Sequence, residues 1–177
     1  MTKKEFFNKV TNSKEDFLQK IINILKENKI SYCIIGGLAV NAYCEPVVSL
    51  DLDIVIGADR LNSFASILRD RYSLKKFPNS INVKNSKSEL RLQIQSDPRY
   101  LPFIEKAKSK TVLGYRIQVA RIEDVFQGKV WAVLDKTRRE SKRQKDLADI
   151  MRLIETKKEL IKLLPETLKN AVIMKWK

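Results

Sequence analysis

The sequence predicts an α+β fold, a mixed β-sheet flanked by helices with a C-terminal helical lobe. Short strand-like runs alternate with helical patterns through about residue 120, whereas from Arg121 onward the pattern is helical throughout. No internal repeat, low-complexity linker or Gly/Ser hinge separates the two parts. The expected organisation is a core over 1–120 with a helical region over 121–177 docked on it.

In order, residues 13–29 place Phe17, Leu18, Ile21, Ile22, Ile24 and Leu25 at helical spacing behind Ser13, a candidate N-cap. Residues 31–35 read as a short strand, followed by a Gly36-Gly37 turn and a helix to about Tyr43. Pro46 marks a loop before a strand over 50–56, which ends at Gly57. Asp59 is the candidate cap of a helix over 60–71, with Leu61, Phe64, Ile67 and Leu68 inward. Strands over 80–85 and 89–95 flank the polar turn Asn85-Ser86-Lys87-Ser88. In the second of them Leu90, Leu92 and Ile94 alternate with Arg91, Gln93 and Gln95, giving one core face and one polar face. Asp97-Pro98-Arg99-Tyr100 reads as a turn, 101–107 as a short helix, and 110–119 as a hairpin near Gly114. Helices follow over 121–135, 141–156 and 157–174, the last broken at Pro165. The first of these sets Ile122, Val125, Phe126, Val130 and Leu134 on one apolar face.

Composition narrows the chemistry. There is no histidine, which excludes Ser-His-Asp and Cys-His catalysis and histidine-containing zinc sites. Cys33 and Cys44 are too few for a disulfide framework or a structural zinc site and read as small apolar residues in a reducing cytosol. No apolar run is long enough for a membrane span or a signal peptide, so the expected location is cytoplasmic, without a membrane partner. The net charge of +14 favours a polyanionic partner, although lysine-rich composition alone produces similar values.

One stretch organises the core. In a strand, residues two apart share a face, so Asp51 and Asp53 project together while Leu52 and Ile54 turn into the core. Two carboxylates so placed repel each other unless a cation lies between them, and Mg²⁺ is held by carboxylates together with substrate phosphates. Gly36 and Gly37 lie about fifteen residues earlier, at the start of a helix, where bare backbone can approach a phosphate. Alone, a Gly-Gly pair is an ordinary turn and Asp-x-Asp an ordinary solvated strand end. Together they point to nucleoside triphosphate chemistry.

At these residues the chain resembles the nucleotidyltransferase superfamily with the DNA polymerase β-like fold, whose signature is a Gly-Gly or Gly-Ser turn followed by Asp-x-Asp. In the helical half, Asp124-Val125-Phe126-Gln127-Gly128-Lys129-Val130-Trp131-Ala132 and Arg143-Gln144-Lys145-Asp146-Leu147-Ala148-Asp149 match two further motifs. These are the acid-x₄-Lys-x₂-Ala and Arg-x-Lys-Asp-x-x-Asp patterns of AbiEii-type toxin nucleotidyltransferases. The resemblance covers about residues 34–150.

It implies a Mg²⁺- or Mn²⁺-dependent enzyme that moves NMP from an NTP to a hydroxyl acceptor. Asp51 and Asp53 are the metal ligands, and Asp51, Asp53, Lys129 and Asp146 the catalytic candidates. Gly36, Gly37, Ser49, Lys145 and Asp149 would contact the nucleotide, with Lys129 neutralising phosphoryl charge. The charged group on the second helix could hold a ribose, a base edge or Lys129 itself, or form an ordinary solvated face. Lys136, Arg138, Arg139, Lys142, Arg143 and Lys145 form a basic run suited to an RNA acceptor, such as a tRNA end; a protein hydroxyl is the other acceptor. The toxin role and a cognate antitoxin partner come from the resemblance alone.

The chain also departs from the family. Cys44, Val47 and Ser49 stand where relatives carry glycine, arginine and threonine. Gln93 and Gln95 stand where many superfamily enzymes have a third carboxylate, and Asp97, in the next turn, is the nearest replacement. Glutamine adds no charge and is no general base. The competing expectation is therefore a catalytically impaired nucleotide- or RNA-binding module. An aminoglycoside-type enzyme would need an acidic pocket, against the +14 charge.

Overall fold

The computed structural model describes residues 1–173. The chain divides into two compact units, Met1–Arg121 and Ile122–Lys177.

The first unit runs α1 (Lys3–Val10), α2 (Phe17–Glu27), β1 (Tyr32–Ile35), α3 (Gly36–Val40), β2 (Asp51–Ile56) and α4 (Ala58–Arg69). It continues with β3 (Ser73–Phe77), β4 (Ser80–Lys84), β5 (Arg91–Gln95), a 3₁₀ turn (Pro98–Tyr100), α5 (Pro102–Glu105), β6 (Lys108–Val112) and β7 (Tyr115–Val119). The strands form one mixed sheet in the order β3-β4-β5-β2-β1-β7-β6. β2 pairs parallel with β5, and β1 parallel with β7; the other neighbours are antiparallel. On the core face Leu52, Ile54, Ile81, Val83, Leu92 and Ile94 are buried. α2 and α4 add Phe17, Ile21, Leu25, Phe64 and Leu68 to that core.

Four local expectations change. The cap of α2 is Asp16, in the left-handed conformation, rather than Ser13. Its carboxylate accepts the Gln19 N–H at 3.1 Å and the Tyr115 hydroxyl at 2.8 Å. Ser13 Oγ accepts only a long contact, 3.4 Å, from Phe17 N. Gly57, not Asp59, occupies the cap position of α4, and Asp59 falls in the first turn beside the helix's positive end. The helix after the glycine pair closes at Val40. Two elements join the list, α1 and the edge strand β3. α1 carries a Thr2/Glu5 capping box, and β3 is mostly exposed, so neither has a strong apolar period.

The second unit comprises α6 (Ile122–Leu134), α7 (Glu140–Thr156), a 3₁₀ segment (Lys158–Leu163) and α8 (Glu166–Ile173). α6 buries Val125, Phe126, Val130 and Val133, whereas Leu134 is exposed. The 3₁₀ segment and α8 meet at Leu164-Pro165, where proline cannot continue a helix. Residue 174, the end of the expected last helix, lies outside the described residues.

Candidate active site

Strand register assembles the first group. Asp51, Arg91, Lys84 and Ser73 lie in one row across β2, β5, β4 and β3; Asp53, Gln93, Asn82 and Lys75 form the next. Residues in register share a face, so both aspartates stand on the polar side of the sheet beside Arg91 and Gln93. The Arg91 Nε–H donates to Asp51 Oδ1 at 2.8 Å, with side-chain exposures of 56% and 33%. Asn82 Oδ1, one strand beyond Gln93, is a buried amide oxygen with no hydrogen-bond partner.

The glycine pair is built against these carboxylates. Gly36 opens α3 with φ +68, the left-handed region. A Cβ there would fall 2.1 Å from Asp53 Oδ2, so only a bare α-carbon fits. At Gly37 a Cβ would meet Ser49 Oγ at 3.1 Å. The intervening loop is held by Asn41, whose amide donates to Val47 O at 2.7 Å and whose oxygen accepts Val47 N–H at 3.0 Å. That clasp delivers Ser49, whose buried hydroxyl donates to Asp51 O at 3.3 Å and accepts Asp51 N–H at 3.4 Å. Its hydroxyl thus orients the first residue of the carboxylate strand.

The donor set fits Mg²⁺ or Mn²⁺. Asp51 and Asp53 are hard oxygen ligands on one face, and Mg²⁺ ordinarily takes one or two protein carboxylates, completing its shell with phosphates and water. Among the described residues no third acidic, cysteine or histidine side chain joins them. Asp97 serves the following turn. It accepts the Arg99 guanidinium at 2.7 to 3.2 Å, which chiefly holds its pKa below the usual aspartate value, and the Arg99 backbone N–H at 2.9 Å.

Beside the carboxylate strand, in the same unit, a groove of about 870 Å³ is lined by Arg69, Arg71, Lys84 and Arg91 among others, with Glu89 its one acid. Arg91 thus belongs to both groove and carboxylate pair.

The second unit contributes a separate group. Lys129 Nζ, on α6, lies 2.8 Å from Asp146 Oδ1 and 2.7 Å from Asp149 Oδ2 on α7. Arg138 Nε contacts Asp146 Oδ2 at 2.7 Å, and Arg152 contacts Asp149 Oδ1 at 2.9 Å. The lysine and both aspartates are buried, with side-chain exposures of 9%, 3% and 6%. Burial alone would lower the Lys129 pKa, but Asp149 and Asp146 outweigh it and hold the pKa above the ordinary lysine value. Of the readings open for this helix face, the geometry is the one in which the carboxylates hold Lys129 itself. Lys145 is not gathered in; it is exposed.

The sequence does not mark Arg91 or Arg152 as site members, and it places Arg138 in the basic run rather than against Asp146. Arg152 was detectable as an i,i+3 partner of Asp149. The pairing of Arg91 needed the β2–β5 register. Of the two cysteines, Cys33 is buried and Cys44 half-buried. Among the described residues no helix is long and apolar enough to cross a membrane.

No family model matches the sequence, and no curated protein matches it. Solved structures do match. The antibiotic-resistance factor ANT(2'')-Ia superposes with a TM-score of 0.63 at 12% identity, over 90% of each chain. The lincosamide antibiotic adenylyltransferase LnuA gives 0.57 at 15%, over 80% of this chain and 99% of LnuA. An antigenic nucleotidyltransferase-like protein from Paracoccidioides brasiliensis gives 0.53 at 15%, over 84% and 75%. At such identities the shared property is architecture, and this chain has the nucleotidyltransferase fold.

Proposed function

We propose that this protein is a divalent-metal-dependent nucleotidyltransferase that moves NMP from an NTP to a hydroxyl on RNA, in the toxin-like AbiEii manner. The observation that carries the reading is the fit of Gly36 against Asp53: a Cβ would overlap the carboxylate at 2.1 Å. A left-handed glycine at the head of a short helix, pressed on the Asp53 carboxylate, supports a reading in which bare backbone would face a phosphate beside a metal ligand.

In this reading Asp51 and Asp53 hold Mg²⁺ or Mn²⁺. When bound, the ion neutralises phosphate charge and activates the attacking hydroxyl. Gly36 and Gly37 leave room for the triphosphate at the backbone, and Ser49 fixes the start of β2 so that the two carboxylates keep one orientation. By the family motif, Lys129, Lys145, Asp146 and Asp149 are assigned to the nucleotide; within the second unit Asp146 and Asp149 hold Lys129, and Lys145 is the exposed cation of its motif. An RNA acceptor is favoured by the groove of Arg69, Arg71, Lys84 and Arg91, which attracts phosphates and repels a cationic antibiotic. The Arg-x-Lys-Asp-x-x-Asp match supports the toxin-like branch and, through it, a cognate antitoxin.

A second reading rests on Gln93, which lies in register with Asp53 where a third acid would stand. It gives a binding module of the same fold without turnover. Label transfer from each α-³²P ribonucleoside triphosphate, with Mg²⁺ and total RNA, decides between them. RNA labelling lost in Asp51→Ala/Asp53→Ala establishes the enzyme. Label on the protein itself, or on an aminoglycoside or lincosamide arm, reassigns the acceptor. Nucleotide binding without transfer selects the module.

A further inference from the structure

Arg91 links the carboxylate pair to the basic groove. Its Nε–H sits on Asp51 Oδ1 at 2.8 Å, so it occupies part of a carboxylate that would hold a metal together with Asp53. Two aspartates on one strand face need a counter-charge, and Arg91, the register partner of Asp51, supplies one. We propose that Arg91 is a displaceable counter-ion: divalent metal binding expels its guanidinium from Asp51, and the freed side chain joins Arg69, Arg71 and Lys84 in the groove, facing phosphate. This rests on the metal-dependent reading above and adds a positioning residue to it.

Three observations support displacement rather than a permanent strut. The pair is exposed enough for Arg91 to move without leaving a buried charge unpaired. The destination already exists, because Arg91 lines the groove. The groove also draws in phosphate, because four cations line it against a single lining acid, and a phosphate there offsets the charge that Arg91 adds. Arginine suits the task, since its planar fork serves carboxylate and phosphate equally.

The test follows the metal and the arginine separately, in the full chain. Mg²⁺ is titrated while the Arg91 Nε–H resonance is followed by NMR, and Mn²⁺ affinity is measured by electron paramagnetic resonance for wild type, Arg91→Met and Lys84→Met. Lys84→Met removes the same charge one strand further out without touching the Asp51 pair, and so reports the general field. The Nε–H signal should leave its bonded position along the same curve as metal binding. Arg91→Met should tighten Mn²⁺ binding about two- to fivefold beyond Lys84→Met, the range set by an exposed ion pair. If metal binds, through a site abolished by Asp53→Asn, while the resonance stays in place and the two variants behave alike, displacement is overturned and the metal site stands. If neither wild type nor Arg91→Met binds metal, both readings fall.

Discussion

Replacing Lys129 with methionine separates a packing role from a chemical one. Its ammonium sits between two carboxylates that are almost wholly buried, and removing one partner of a buried pair ordinarily costs about 3–5 kcal/mol. Here each aspartate keeps an arginine, Arg138 at 2.7 Å and Arg152 at 2.9 Å, which places the loss at the lower end, about 3 kcal/mol. Urea unfolding followed by Trp131 fluorescence on α6, in a Trp176→Phe background, reads the second unit. With a slope of about 2 kcal/mol/M the midpoint falls by about 1.5 M. The companion Lys129→Met/Asp146→Leu/Asp149→Leu should recover most of that loss, because no buried carboxylate remains. A midpoint shift below about 0.3 M for the single variant would refute the view that this network ties α6 to α7. It would leave Lys129 as a charge held in reserve for substrate.

The same lysine predicts a pH limit. Its pKa is raised by folding, so its contribution is complete below the unfolded lysine value of about 10.4 and disappears as pH rises through the higher folded value. Thermal melts across that range should show a loss that Lys129→Met lacks. Gly36→Ala places an L-residue at φ +68, for about 1–2 kcal/mol, and also drives Asp53 aside; folded protein should therefore lose Mn²⁺ binding. Gly37→Ala meets only Ser49 Oγ at 3.1 Å and should stay within about 1 kcal/mol of wild type with metal binding kept. Glu15, held down to about 2 by Lys20 and then Lys87, should titrate by carboxyl NMR well below an ordinary glutamate. Its contribution is complete above the unfolded pKa and is lost as pH falls from there through the folded value of about 2.

Much of this site was legible because it is local. Period-two spacing alone puts Asp51 and Asp53 on one face, and Leu52 and Ile54 are indeed buried opposite them. Period-3.6 spacing likewise places Asp146 and Asp149 on one side of α7, and both are buried. What stayed hidden depends on strand neighbours distant in sequence: the Asp51–Arg91 pair, the row Asp53-Gln93-Asn82, and the groove from Arg69 to Arg91. Edge strand β3 was illegible for another reason. Ser73-Leu74-Lys75-Lys76-Phe77 is solvated on most sides, so no burial imprints alternation on it. The cap of α2 was misplaced because Asp16 adopts a left-handed backbone stabilised by Tyr115, a partner 99 residues away.

The N-terminal segment is stitched to the turn between β4 and β5. Glu89 N–H donates to Thr11 O at 2.7 Å, Lys14 N–H to Lys87 O at 3.1 Å, and Ser13 Oγ to Ser88 Oγ at 2.7 Å, while Glu15 pairs with Lys87. During synthesis those partners emerge some 75 residues after the segment that needs them. At about 5–20 residues per second, the stretch Thr11–Glu15 waits roughly 4–15 s with nothing to bind. In that interval α1 has its own capping box and the Lys4–Gln19 hydrogen bond to hold it, and eight residues are too few for a stable helix. The stretch Thr11–Glu15 therefore settles only once the turn between β4 and β5 has been made.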